Sequence, residues 1–367
     1  MKPASPIGQA CADRLTAESA FLRQERASGV KSLGFTCHAF PAAVAAGLGL
    51  RPVRVLCGVS AEAETAGEQV VRPDVCPLVK TLLGNVSERR GLHGEIDIWA
   101  GLFTCDAMRR GLDLLSGDLG KEVHPLQLPA TGTPESAAYY AAQVRRLVSD
   151  IEAAHGLRFD PARALAWQQE RDKADAVLAR AARSGRMSPL DLHGMFHLLF
   201  VARPEGLAGF FEGLIAAAPA YKSSKTLVLT GSPLAREDTV LLAELEERGY
   251  GVLPLNCTGL NAVEETAPRQ MDGDIVEALA LRSFALPPCA RTRPNTEVYD
   301  RIRDTIGTSR ASGLIVKSLK FCDHWYTERE RMRRSFNVPV LVFDSDYAEG
   351  GRERVLSRID AFLETLE

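Results

Sequence analysis

The chain reads as an α/β protein with two parallel-sheet units separated by a helical stretch, and three observations carry that reading. Apolar strand-like runs alternate with helical runs through short joints across residues 31–133 and again across 223–367, the arrangement that parallel strands with crossover helices require. Residues 134–222 keep the helical period but offer no strong strand, as in ESAAYYAAQVRRLVSDIEAAHG and DPARALAWQQERDKADAVLARAARSG. Six of the eight cysteines make two sets of three, one in each α/β unit, in chain order Cys37, Cys76 and Cys105, then Cys257, Cys289 and Cys322.

Residues 1–30 form a helical extension ahead of the first unit. That unit opens with a strand from Lys31 to Cys37 and a helix from Pro41 to Gly49, followed by a strand from Pro52 to Cys57 and a helix starting at Pro77. Proline suits a first helical position because its missing N–H would be unpaired there in any case. A strand from Glu95 to Thr104, a helix from Asp106 to Leu115 and the run Glu122 to Leu128 complete it. The second unit begins with KTLVLTGSPL, a buried strand running into a glycine turn. It continues with a helix from Asp238 to Arg248, a strand from Tyr250 to Leu255, a long helical region and a strand from Gly313 to Ser318. A further helix, the strand VPVLVFDSD and the helix RVLSRIDAFLETL close it. The similar order of the units is what a diverged duplication would give, with the two strand edges facing each other.

Composition narrows the class. A length of 367 residues suffices for two or three domains, and 46% hydrophobic residues can build their cores. A net charge of -3 and a pI near 6.2 give no general attraction to nucleic acid or to an anionic membrane. No run approaches a membrane span, and MKPASPIGQACADR lacks the apolar core of a signal peptide. A cytoplasmic location is expected. Thiols stay reduced there, so metal binding or redox chemistry is favoured over a disulfide framework.

The cysteine contexts LGFTC, RPDVC, IDIWAGLFTC and LIVKSLKFC each read as a strand delivering a thiol at its carboxyl end. In open parallel sheets ligands bind at that edge, where the following helix points its positive end. Any one cysteine alone reads as a small buried hydrophobe, and Cys11 and Cys57 are left with that reading. Paired C-x2-C thiols of a structural zinc site are absent. Separations of 39 and 29 residues in the first set, and of 32 and 33 in the second, suit an iron-sulfur cluster better.

The segments DVCPLVKTLLG, FTCDAMRRGLDLL, CHAFPAAVAAGLGLRPVRV, LNCTG, KFCDHWYTERERM, VPVLVFDSDY and RIDAFLE resemble the 2-hydroxyacyl-CoA dehydratase and benzoyl-CoA reductase family, from about Ser32 onward and in the family's order. The resemblance implies two Rossmann-like or flavodoxin-like domains, a helical segment between them and an iron-sulfur cluster at the domain interface. It carries the cluster ligands onto Cys76, Cys105 and Cys322. The family includes double-cubane proteins, in which two 4Fe-4S cubanes share a sulfide, an 8Fe-9S group. Cys37, Cys257 and Cys289 would then join as the second set of three; a single 4Fe-4S cluster remains the alternative.

Around these thiols, Lys80 lies four residues beyond Cys76 on the same helix face, where it either offsets cluster charge or is solvated. Asp106 and Asp323 follow cysteines and read as helix caps. His38 and His324 read as proton donors or as packed helix-start histidines. No G-x-x-x-x-G-K-[ST] loop is present, so ATP hydrolysis by this chain is not expected. The resemblance instead implies an ATP-dependent iron-sulfur reductase that docks and donates single electrons, and a small-molecule or acyl-CoA substrate. It also implies a homodimer or a heterodimer with a paralogous subunit. A low-potential reductase component is expected first. The alternatives are a 2-hydroxyacyl-CoA dehydratase subunit, a lyase, and a non-catalytic electron relay or sensor.

Overall fold

A computed structural model describes residues 5–263, 273–347 and 352–366. In the first half the order is α1 (Pro6–Ala27), β1 (Ser32–Phe35), α2 (Ala42–Gly47), β2 (Arg51–Arg54), α3 (Ala61–Gly67), α4 (Pro77–Ser87), β3 (Ile98–Phe103), α5 (Asp106–Gly117) and β4 (Glu122–Gln127). Four helices follow, α6 (Pro134–His155), α7 (Pro161–Arg183), α8 (Pro189–Val201) and α9 (Leu207–Ala217). The second half runs β5 (Lys225–Gly231), α10 (Val240–Glu247), β6 (Tyr250–Pro254), α11 (Ile275–Phe284), α12 (Thr296–Ser309), β7 (Gly313–Leu319), α13 (Asp323–Tyr326), α14 (Arg329–Arg334), β8 (Val340–Ser345) and α15 (Arg352–Glu364).

The strands form two four-stranded sheets, ordered β2-β1-β3-β4 and β6-β5-β7-β8, and every pairing is parallel. The α/β expectation is met, with the same strand order in both units. Central β7 is buried along its whole length, as a strand covered on both faces must be. Pro52 and Pro125 sit in β2 and β4, the outer strands of the first sheet, where a missing N–H leaves no ladder bond unmade.

Two contacts fix the parts that hold the cysteines. Helices α3 and α4 approach through glycine: a Cβ on Gly67 would lie 2.1 Å from the Lys80 carbonyl oxygen, and one on Gly84 2.0 Å from that of Ala63. Any larger side chain would push α4, and with it Cys76, away from α3. Helix α1 is pinned to β2 by the buried pair Arg51 Nη2 to Glu18 Oε2 at 2.8 Å. Removing one member of such a pair costs about 3–5 kcal/mol because the other charge is stranded. One continuous core then joins the units, running from Leu83 and Leu112 through Met195 and Phe196 of α8 to Val228 and Leu314.

Candidate functional site

In both sheets the strand order reverses beside the first strand, β1 or β5, and the loops leaving the carboxyl ends there converge. Between the two edges lies a cavity of about 500 Å³ whose walls include Cys37, Cys76, Cys105, Cys257, Cys289 and Cys322. All six are free thiols. Cys37 and Cys105 lie two residues past β1 and β3, and Cys257 and Cys322 three residues past β6 and β7. Cys289 belongs to the loop between α11 and α12. Cys76 corrects the expectation of a strand before it: β2 has ended at Arg54, α3 intervenes, and Pro73 and Asp74 make a turn held by Arg72 Nε donating to Asp74 Oδ1 at 3.0 Å.

Electrostatics sorts the thiols into two sets that do not follow chain order. Burial pushes Cys76 up to about 12, and negative charge on Cys322 and Cys105 adds to it. Cys105 is likewise raised by burial, with Cys322 adding and the Met108 amide opposing. In the other set burial pushes Cys289 up to about 12, opposed by Arg291 and reinforced by Cys37 and Cys257. Burial raises Cys257, opposed by Arg54 and reinforced by Cys37. Each set of three thus repels itself when ionised, and each draws on both units.

The first set also corrects the reading of the aspartates as caps. The caps are the cysteines themselves: Cys76, Cys105 and Cys322 stand at the N-caps of α4, α5 and α13. Cys105 Sγ accepts a hydrogen bond from Met108 N at 3.4 Å. Pro77 occupies the first turn as expected. Phe321, just before Cys322, has a φ of 60°, a left-handed conformation that a side chain normally avoids at a cost of about 1–2 kcal/mol.

The geometry speaks to which metal groups these residues could hold. A tetrahedral zinc ion with thiolate bonds of about 2.3 Å needs sulfurs about 3.8 Å apart. Among the described residues no three cysteine sulfurs lie mutually within 4.8 Å. As they stand, the sulfurs are too far apart for a single tetrahedral zinc ion. Elsewhere Glu122, His124 and His155 do meet, but Lys31 Nζ lies 3.0 Å from His155 Nδ1, and both imidazole Nε2 atoms bond Glu122 Oε1, at 2.8 and 2.7 Å. A lysine donating to Nδ1 fixes the His155 proton on Nε2, facing the carboxylate.

His38 and His324 both line the cavity. His38 Nδ1 is 4.0 Å from Cys37 Sγ and its Nε2 3.4 Å from the Pro287 carbonyl oxygen. Burial, aided by Arg54, lowers its pKa to about 3, so the ring is neutral. His324 Nε2 lies 3.3 Å from the Thr104 carbonyl oxygen and is also lowered by burial. Lys80 is elsewhere. Its buried ammonium meets Glu64 at 3.2 Å and Glu68 at 3.0 Å across the α3–α4 contact, neither solvated nor in the cavity wall.

Sequence reasoning missed Arg54. It is buried at the end of β2, lines the cavity, and donates from Nε to Thr36 O at 2.9 Å and from Nη1 to Cys257 O at 2.6 Å. Its guanidinium lies 4.5 Å from the centre of the Phe200 ring. The available signal was the pair of arginines, Arg51 and Arg54, inside the otherwise apolar run LRPVRVLCG. Apolar walls from Leu78, Val79, Met108, Leu128, Phe284 and Trp325 complete the cavity.

The protein YjiM of Escherichia coli strain K12, whose name gives it as a candidate dehydratase subunit, is 24% identical to this chain over 360 residues, covering 92% of each. Residues 37–366 match the family described as 2-hydroxyglutaryl-CoA dehydratase, D-component. That span takes in every cavity cysteine and every strand but β1, so the resemblance read from the sequence holds: the chain belongs to the 2-hydroxyglutaryl-CoA dehydratase D-component family.

Proposed function

We propose that the chain is the iron-sulfur catalytic component of a low-potential reductase, fed single electrons by an ATP-dependent iron-sulfur partner. The observation that carries this reading is the meeting of six free thiols on one cavity between two sheet edges. Cys76, Cys105 and Cys322 would hold one half of a double-cubane group and Cys37, Cys257 and Cys289 the other. Such a group supplies single electrons near the lower end of the protein iron-sulfur range, roughly -700 mV. The chain's own residues do the rest. Leu78, Met108, Phe284 and Trp325 give the cavity an apolar wall, which strengthens charge interactions beside it. His38 and His324, as neutral rings beside backbone carbonyls, offer Nε2–H to those oxygens and keep Nδ1 as an acceptor. The substrate is an unsaturated small molecule, with a CoA thioester the class the family favours.

Family membership favours a second reading, a 2-hydroxyacyl-CoA dehydratase subunit with one 4Fe-4S cluster on Cys76, Cys105 and Cys322. Counting iron and sulfide after anaerobic purification separates the two. About eight irons per chain is the expected result, and about four supports the dehydratase. A chain that retains no iron overturns both. The purified chain with ATP and a mild reductant should be inactive, and adding the ATP-dependent reductase should start substrate reduction. ATP hydrolysis and turnover by the chain alone would contradict that division of labour.

A further inference from the structure

Four basic side chains are buried among the described residues: Arg51, Arg54, Lys80 and Lys317. Three are neutralised by carboxylates. Arg51 has Glu18 at 2.8 Å and Glu25 at 3.7 Å, Lys80 has Glu64 and Glu68, and Lys317 has Asp238. Arg54 differs. Among the described residues no carboxylate lies at pairing distance, and the groups that support its charge are the Cys257 and Cys37 thiols. Its hydrogen bonds go to two carbonyl oxygens and its face to an aromatic ring, which fix its position without cancelling its charge. Arg171, the nearest other guanidinium, is occupied by Asp175 at 2.6 Å.

An isolated charge this deep is unfavourable unless an anion accompanies it. Among the described residues no carboxylate provides one here, whereas the Cys37, Cys257 and Cys289 thiols line the same cavity wall as Arg54. A metal-bound thiolate set is ionised and can carry net negative charge. We infer that Arg54 is the dedicated counter-charge of an anionic group held by Cys37, Cys257 and Cys289, so that this set depends on one fixed cation and the helix-capped set does not. Arg291 also stands near the Cys289 end, but it is only partly buried and its Nη1 is turned to the Leu128 carbonyl oxygen. The inference rests on the proposed iron-sulfur reading and adds that the two halves of the site are charge-balanced by different means.

The test compares Arg54→Gln and Arg54→Lys with Arg146→Gln, which removes an equal charge from an exposed ion pair on α6 outside the cavity wall. Anaerobically purified holoprotein is titrated with an iron chelator, and loaded and stripped forms are unfolded in urea. In Arg54→Gln roughly half of the iron should leave at about tenfold lower chelator concentration, because one of two sets has lost its counter-charge. Arg54→Lys, which keeps the charge, should recover most of the resistance, and Arg146→Gln should match the wild type. Arg54→Gln should destabilise the loaded protein more than the stripped one.

A merely structural arginine would give equal losses in both forms, or a variant that does not fold even when stripped. Either result overturns the inference. So does a stripping profile of Arg54→Gln equal to that of Arg146→Gln in iron-containing protein, which leaves the iron-sulfur reading standing. Wild-type protein without iron would overturn that reading, and the inference with it.

Discussion

The two sets of cysteines face one cavity but are built by opposite means. Cys76, Cys105 and Cys322 each stand at the start of a helix, whose positive end faces the sulfur, and the Met108 amide donates to Cys105 Sγ. Cys37, Cys257 and Cys289 lie in loops, and guanidinium groups stand beside them. Helix starts are part of the scaffold and cannot be removed by one substitution. A side-chain cation can. The difference teaches that the helix-capped set is bound into the fold while the loop-borne set is adjustable, and that the two should fail differently.

The largest effect should come from the helix-capped set. Cys76→Ala, Cys105→Ala and Cys322→Ala are each expected to cut anaerobically measured iron below about half of the wild-type content. Full iron in any one of them would remove that residue from the ligand set. Cys37→Ala, Cys257→Ala and Cys289→Ala should give a smaller step, a partial loss or a changed visible spectrum. Unchanged iron and spectra in all three would leave a single cluster and dissolve the comparison. Cys57→Ala and Cys11→Ala should do neither. Both thiols are pushed up to about 12 by burial, and neither lines the cavity; loss of iron at Cys57 would redraw the set.

The smallest effect on the site, though not on the fold, is expected at Lys80. It sits on the helix that begins at Cys76, yet its charge belongs to Glu64 and Glu68. Lys80→Met should lower unfolding stability by about 3 kcal/mol, by stranding Glu64, while iron per folded chain stays at the wild-type level. A loss of iron without a loss of stability would show that the helix-capped set needs a cation after all.

Much of this was legible in the sequence. The alternation of strand and helix and the apolar strands KTLVLTG and GLIVKSL locate the two sheets, because periodicity is a local property. Strand ends also locate Cys37, Cys105 and Cys322. The turn before Cys76 was misread, since RPDV carries turn residues that a neighbouring cysteine made look strand-like. Lys80 was misplaced because helix spacing gives a face but not what packs on it. The Gly67–Gly84 approach brings two glutamates there. Arg54 was invisible, and the mixing of the sets across units came only with the family resemblance, for a further reason. Which loop of one sheet meets which loop of the other is set by tertiary packing, and no short-range pattern records it.

The repeated strand order has one more consequence. Superposing the units by strand order, β1 on β5 through β4 on β8, gives each cysteine a station that can be looked up in the other half. Cys105 and Cys322 share the station after the third strand, and Cys76 and Cys289 the station between the two intervening helices. Cys57 and Cys257 share the third residue beyond the second strand, yet only Cys257 faces the cavity. At that station the halves have parted: one thiol fronts the chamber, and its twin is folded inward as packing beside Glu237 and Arg236. Strand order alone does not decide which thiols can become ligands; the fold has turned one of two matching sulfurs away.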